Sequence, residues 1–226
     1  MVTVTSTPLT LPTDGITARI RGEGATPWQA AVDHRFVREL LAGTVPDDAL
    51  AGYLLQDQQF LDGFLRLLGQ ALASADAPAS RLVLARQLGM LADDEQGYFE
   101  DSLAALGVPA DVRRHPPLLG TTAAFQTLMA EVVASRSYPR LLVLLVVMEV
   151  LYLDWGSRTD LGEPTRPEHL GWVELHRGPD FTRWCQWLVD ELERVAATCH
   201  PAERGELVAL GVRTVELELA FFDQAR

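Results

Sequence analysis

Apolar residues recur every three or four positions along almost the whole chain after residue 25, and this spacing predicts helices. Proline, glycine and short polar stretches separate the periodic segments and set the expected helix ends. No alternating segment bounded by hairpin turns stands out, so no strand is predicted. The pattern therefore predicts an all-α, single-domain helical bundle, with helices at residues 26–43, 46–75, 80–106, 119–135, 139–155, 168–176, 179–198 and 201–225.

The first part of the chain lacks this periodicity. Residues 1–25 are rich in Thr, Pro and Gly, and we predict a flexible N-terminal tail with little structure. The helical domain is expected to cover residues 26–226. Thr26 and Pro27 suit the start of its first helix, because threonine is a good N-cap and proline fits the first helical position.

Three acidic residues interrupt otherwise apolar helical faces. Glu149 lies inside the run 141–153, where the only other polar group is the hydroxyl of Tyr152. Asp57 and Glu218 also have apolar neighbours at helical spacings. A buried carboxylate is costly unless it is paired, hydrogen-bonded or protonated. Facing helices of a bundle can bring such side chains together, so the pattern indicates an acid-lined pocket in the core.

Each of these acids also has a purely structural interpretation. Asp57 suits a carboxylate that accepts hydrogen bonds from a ligand amine or amidine, but it would equally serve to cap a helix or pair with a buried arginine. Glu149, with Tyr152 at i+3 on the same side of one helix, suits a general acid or base. It could instead be a structural acid bonded to that tyrosine or to an arginine.

Charge and composition narrow the class of partner. The formal net charge is −12 and the isoelectric point about 4.8, which argues against nucleic acid and anionic membranes. The run 141–153 is shorter than the roughly 20 residues that span a bilayer. The N-terminus has no signal-peptide pattern. We therefore expect a cytoplasmic protein that binds a small molecule and neither nucleic acid nor membrane.

Several kinds of catalytic chemistry lack the residues they need. All 19 basic residues are arginine, so lysine Schiff-base chemistry is excluded. The histidines form no HxxxH pair and none is spaced to join a buried acid, which argues against a di-iron site. Cys185 and Cys199 form no CxxC pair. The expectation is a site without metal or other cofactor.

Three segments of the chain resemble the TenA (thiaminase II) family. HRFVRELLAGTVPDDALAGYLLQDQQFLDGF, residues 34–64, is similar to the family's signature helix pair with its Tyr-x-x-Gln-Asp-x-x-Tyr/Phe-Leu motif. LLVVMEVLYLDWG, residues 144–156, resembles the fifth long helix. VELELAFFDQA, residues 215–225, resembles the last helix, with a glutamate ahead of two aromatic residues. The resemblance covers about residues 28–225, and the segments occur in the family's order.

This resemblance implies a fold like that of haem oxygenase and a role in thiamin salvage. Members of the family hydrolyse thiamin or aminomethylpyrimidine breakdown products, and the product is hydroxymethylpyrimidine. They commonly form tetramers, so a homo-oligomer, tetramer or dimer, is expected here. The implied activity is that of an aminopyrimidine aminohydrolase acting on C–N bonds, with a small-molecule pyrimidine as substrate.

The same resemblance assigns residues to the site. Asp57 matches the acid that binds the amino group and ring nitrogens of the pyrimidine, and Glu218 matches the acid that manages ring protonation. Phe60 and Phe125 match aromatic pocket walls, and His176 stands where many members have a tyrosine. Tyr152 matches a pocket tyrosine, and we expect it to act with Glu149 and Glu218 in catalysis.

One position departs from the better-known subfamily. Its cysteine nucleophile matches Met148 here. A second subfamily lacks the cysteine and has a Glu-x-x-Tyr pattern nearby, which Glu149 and Tyr152 fit. Glu149 is one residue further along, roughly 100° around the helix axis, so a direct replacement requires a local rotation or register shift. Whether this glutamate is a nucleophile or activates water stays open.

Two other functions remain alternatives at this level. An oxidative enzyme of the same fold could use His34, on the first long helix, as a haem-type axial ligand, although core hydrogen bonding explains that histidine as well. A non-catalytic pyrimidine-binding protein would follow if the loss of the cysteine at Met148 had removed the chemistry and kept the pocket.

Overall fold

The computed structural model describes residues 8–225, apart from the side chains of residues 92–96. The described residues form eleven helices and no strand, which confirms the predicted all-α, single-domain fold. The helices are α1 (Ile16–Glu23), α2 (Ala25–Val32), α3 (Arg35–Leu41), α4 (Asp47–Ser74), α5 (Pro78–Ala105), α6 (Ala110–Arg114), α7 (Gly120–Ser135), α8 (Tyr138–Gly156), α9 (Pro167–Leu175), α10 (Gly178–Ala196) and α11 (Pro201–Asp223).

The helices begin and end where the local sequence favours it. Helices α5, α8, α9, α10 and α11 have proline in their first turn, where no backbone N–H is needed. The rings of His34 and His200 cap α3 and α11 by accepting a backbone N–H. Gly43 follows α3 with φ of 70°, a left-handed conformation that glycine adopts without strain.

Helix α8 forms the centre of the bundle. Of its 19 residues, 16 are buried, because the helix is apolar around its whole circumference. It packs against α4, α10 and α11. Any polar side chain on α8 is therefore held in the core, where neighbouring helices supply its surroundings. Within residues 8–225, no helix is both long and apolar enough to cross a membrane.

The prediction of little structure in residues 1–25 is wrong for α1. Residues 1–7 lie outside the described part of the chain. Ile16 and Ile20 are buried, and α1 packs on α10 and α11. Its N-terminus is capped by Glu193 of α10, whose carboxylate accepts the backbone N–H groups of Ile16 at 3.1 Å and Thr17 at 2.8 Å. Because this cap comes from another helix, no local sequence signal announces it.

The predicted helix 26–43 is divided into α2 and α3. The break falls at Asp33 and His34. His34 has an extended backbone, and its Nδ1 accepts the N–H of Phe36 at 3.1 Å. The other helices lie close to their predicted positions, which were set by proline and glycine; the break at His34 has neither residue to signal it.

The cap on α1 gives a stability prediction. The substitution Glu193→Ala removes the acceptor for two helix N–H groups and for the hydroxyl of Thr17. We expect the free energy of unfolding to fall by about 1–2 kcal/mol, the usual cost of a lost N-cap. Urea unfolding measures this change in the free energy of unfolding. Glu206→Ala, an exposed acid on α11, is the control and should change stability little; equal losses in both variants would contradict the capping role.

Candidate active site

A buried cavity lies between the middle of α4, the central helix α8, the end of α9 and the last helix α11. Its volume is about 50 Å³, counted as the space open to the centre of a water molecule. One water requires about 10–15 Å³ by such a measure, so the cavity holds a few waters, and a pyrimidine ring would require its lining side chains to move apart. The residues lining this inner cavity are Asp57, Phe60, Leu61, Phe64, Met148, Glu149, Tyr152, Trp172, His176 and Glu218.

The three acids predicted from the sequence meet in the inner cavity. Asp57 comes from α4, Glu149 from α8 and Glu218 from α11, and all three are buried. Each helix is apolar on this side, so the acids are carried into the core with it. The cavity therefore concentrates carboxyl groups where water is scarce, which makes their charges interact strongly.

Glu218 is the acid whose protonation state is most perturbed. Burial raises its pKa well above the usual 4.5, and the charges of Asp57 and Glu149 raise the pKa further. Its Oε1 has no hydrogen-bond partner among the described residues. Both features favour the protonated carboxyl, which can donate a hydrogen bond or a proton to a bound molecule.

A pair of tyrosines lies beside these acids. The hydroxyls of Tyr53 on α4 and Tyr152 on α8 are 2.7 Å apart. Burial, with the nearby acids Asp57 and Glu218, raises the pKa of both phenols, so they stay neutral. Tyr152 lines the cavity. Tyr53 does not line it, but its hydroxyl is hydrogen-bonded to that of Tyr152. Sequence reasoning missed Tyr53 as part of the site, although it lies one helical turn before Asp57 in the Tyr-x-x-Gln-Asp motif.

His176 lines the inner cavity as a neutral ring. Its Nδ1 lies 2.8 Å from the carbonyl oxygen of Trp172, which can only accept, so Nδ1 carries the hydrogen. Burial lowers the pKa of His176 to about 4, and the bond to Trp172 only partly opposes this. The ring also packs against Tyr152, with 4.8 Å between centroids. Trp172, which also lines the cavity, was not predicted as a site residue from the sequence.

The lowered pKa of His176 predicts a pH dependence of stability. The unfolded state, with a pKa near 6.5, takes up a proton before the folded state does. Stability from the neutral ring is thus present above pH 6.5 and lost as the pH falls toward 4, by ~3 kcal/mol in total. His176→Phe should flatten this part of the profile in urea unfolding, whereas His115→Phe, at an exposed histidine, should not. Parallel profiles in all three proteins would contradict the assignment.

The predicted aromatic walls are only partly at the cavity. Phe60 lines it, but Phe125 does not. Phe125 of α7 is completely buried one layer further out, where its ring meets Phe60 edge-on at 5.0 Å and also contacts Phe221. The expectation that Phe125 forms a wall is therefore corrected: Phe60 stands between it and the cavity, and Phe125 supports that ring.

Met148 and Glu149 both reach the inner cavity without any irregularity in α8. The rotation or register shift considered from the sequence is not needed, because the cavity wraps around enough of the helix for adjacent residues to face it. Cys185 of α10 does not line the cavity. Its thiol lies 3.5 Å from the backbone oxygen of Glu149, and burial raises its pKa well above the usual range, which keeps it an unreactive thiol.

His34 lies away from the inner cavity. It caps α3, its Nε2 is 3.3 Å from Asp223, and it borders a different surface groove. The hydrogen-bonding interpretation of this residue therefore holds. Residues 8–225, searched without the undescribed side chains, contain no group of three or more His, Cys, Asp or Glu side chains arranged to hold a metal ion.

The fold and the cavity together define a class: a single-domain helical protein with a buried, carboxylate-lined pocket for a small molecule. Residues 25–226 match the model of the TENA/THI-4/PQQC family, and the chain belongs to that family. It is 22% identical over 212 residues to a Bacillus subtilis (strain 168) protein named aminopyrimidine aminohydrolase, with 91% of this chain and 87% of that protein covered.

Solved structures agree on the fold. A TenA homologue from Pyrococcus furiosus superposes with a TM-score of 0.84 at 16% identity, covering 93% of this chain and all of that one. A domain of unknown function from Shewanella denitrificans OS217, described as having a heme oxygenase-like fold, gives a TM-score of 0.66 at 15% identity, with 92% and 91% covered. The expected haem-oxygenase-like fold is confirmed.

Proposed function

We propose that this protein is a thiamin-salvage hydrolase of the cysteine-lacking, Glu-type subfamily. Its substrates are 4-amino-5-aminomethyl-2-methylpyrimidine and the N-formyl derivative, and its product is the 5-hydroxymethyl compound. The observation that carries the proposal is the meeting of Asp57, Glu149 and Glu218 in one buried cavity. The activity named for the Bacillus subtilis relative supports the reaction class.

The substrate ring suits the groups of the inner cavity. The carboxylate of Asp57 accepts hydrogen bonds from the 4-amino edge of the pyrimidine, while the protonated Glu218 donates to a ring nitrogen. Phe60 and Tyr152 supply flat apolar surface on which an aromatic ring packs well. His176, neutral with an unprotonated Nε2, adds a further acceptor.

The chemistry replaces an amine by water at the exocyclic methylene. Glu149 takes a proton from the attacking water, a C–O bond forms, and the C–N bond breaks with its electron pair staying on nitrogen. The nitrogen accepts the proton from Glu149 and leaves as ammonia, so the glutamate is regenerated. Protonation of the ring by Glu218 draws electron density from the methylene and assists this step. Tyr152, held by Tyr53, keeps a neutral hydroxyl one turn from Glu149.

General-base catalysis fits the position of Glu149 better than a thiol mechanism. The cysteine position is Met148, and the buried Cys185 does not line the cavity. Glu149 borders the inner cavity and also an outer pocket. Intact thiamin, with its larger leaving group and no thiolate to attack, should react slowly.

The direct test is formation of hydroxymethylpyrimidine and ammonia from the aminomethylpyrimidine, with the N-formyl compound and thiamin run alongside. We expect kcat/KM for the amine or the formylamine to exceed that for thiamin by about 100-fold or more, because an activated nucleophile is absent. Thiamin cleavage at an equal rate would contradict the subfamily assignment. Tight binding of hydroxymethylpyrimidine without turnover of any compound would favour the non-catalytic alternative.

A further inference from the structure

An outer pocket adjoins the inner cavity at Glu149, which lines both. It is formed by the middle of α5, the end of α9 and the first two turns of α10. Its volume is about 340 Å³, against about 50 Å³ for the inner cavity by the same measure. The outer pocket is therefore large enough for a group that the inner cavity cannot hold together with a pyrimidine ring.

The two compartments share a partition made of very few side chains. Glu149 lines both of them. Beside it, the ring of His176 lines the inner cavity and the ring of Phe181 lines the outer pocket, with 5.6 Å between their centroids. The two compartments therefore adjoin at Glu149, and a molecule whose reacting bond lies at this residue enters the outer pocket by displacing part of the partition.

The outer pocket has apolar walls and an unfavourable environment for anions. Trp184, Phe181 and Met90 contribute apolar surface. Of the described residues that line it, three carry carboxylates and one, Arg177, carries a guanidinium. Arg177 is already paired with Glu163 and Glu174, whose carboxylates accept hydrogen bonds from its two terminal nitrogens. An anionic group bound in the outer pocket would therefore lie near three carboxylates, and the arginine that lines the pocket is already paired.

We propose that the outer pocket binds the acyl group of N-acylated aminomethylpyrimidines, and that neutral acyl groups larger than formyl are accepted. This inference rests on the proposed function, because that function fixes the ring in the inner cavity and the exocyclic nitrogen at Glu149. The reaction is the same displacement: water adds to the methylene, the methylene–nitrogen bond breaks, and a neutral carboxamide leaves in place of ammonia.

A matched series of substrates tests the size and charge of the outer pocket. The N-formyl, N-butyryl and N-succinyl amides of the same aminomethylpyrimidine are compared by hydroxymethylpyrimidine formation. We expect kcat/KM for the butyryl amide to lie within about threefold of the formyl amide, and the succinyl amide, of equal chain length but anionic, to fall about 30-fold or more. A butyryl amide that is about 30-fold worse than formyl, or a succinyl amide equal to butyryl, would overturn the proposal.

A variant that fills the outer pocket tests whether the acyl group binds there. Met90 is 41% exposed on α5, so Met90→Trp adds bulk to the outer pocket without a demand on the core. It should lower kcat/KM for the butyryl amide by about tenfold and leave the unsubstituted amine unchanged. The control is Leu82→Trp, about two turns earlier on α5 at a residue that is 74% exposed and outside the pocket. An equal effect of both variants would refute the location.

The unsubstituted amine separates the two claims. Turnover of the amine or the N-formyl amide, together with a butyryl amide about 30-fold worse than formyl or a succinyl amide equal to butyryl, would refute only the outer-pocket proposal. No turnover of either the amine or the N-formyl amide by the wild-type protein would overturn the proposed function and this inference with it.

Discussion

Glu149→Gln is expected to lower kcat by about 10³-fold, within the range that general acid–base groups contribute. The amide keeps the size and shape of the side chain but cannot take a proton from water. Since Glu149 acts at the methylene and Asp57 and Glu218 hold the ring, affinity for hydroxymethylpyrimidine should change by no more than about threefold. Stopped assays of ammonia release give the rate, and calorimetric titration gives the affinity.

A matched control separates this effect from a change of charge. Glu216→Gln removes an exposed acid from α11, two residues from Glu218 and outside the inner cavity, and should leave kcat unchanged. Because the charge of Glu149 helps to raise the pKa of Glu218, the pKa of Glu218 should fall in Glu149→Gln and not in Glu216→Gln. Wild-type turnover by Glu149→Gln would remove Glu149 from the mechanism.

Asp57→Asn is expected to weaken binding of hydroxymethylpyrimidine by about 100-fold. Hydrogen bonds to a charged group contribute about 1.5–3 kcal/mol, and 1.4 kcal/mol is tenfold in affinity. The asparagine amide also turns an acceptor into a donor, which faces the donors of the aminopyrimidine edge. The dissociation constant and KM should rise together, because the contact holds the ring in the ground state as well as the transition state.

Asp62→Asn is the control for this second substitution. Asp62 lies on the same helix, is exposed and pairs with Arg66 at 3.0 Å. It should leave affinity unchanged. Loss of the Asp57 charge should also lower the pKa of Glu218, since that charge helps to raise it. Unchanged affinity in Asp57→Asn would mean that the ring is not bound at this carboxylate.

The sequence predicted much of this site because buried acids are conspicuous in apolar helices. Asp57, Glu149 and Glu218 each stand out against neighbours at helical spacing, and a bundle leaves few directions for such side chains except inward. The main helices were predictable for a related reason: proline and glycine at their ends act locally, through backbone geometry alone.

The features that sequence reasoning missed depend on contacts between distant segments. The cap on α1 comes from Glu193, 177 positions from Ile16 along the chain. The bond between Tyr53 and Tyr152 joins two helices. Phe125 is the same kind of case: its helix could be predicted, but whether its ring or that of Phe60 reaches the cavity depends on the depth of packing between α7 and α4.

The most direct test of the account is a crystal structure of Glu149→Gln with 4-amino-5-aminomethyl-2-methylpyrimidine bound. The account predicts the ring in the inner cavity, its amino edge at Asp57, a ring nitrogen at Glu218, and the aminomethyl group at residue 149. A ligand seated outside this cavity, or a ring turned so that its aminomethyl group points away from residue 149, would contradict it.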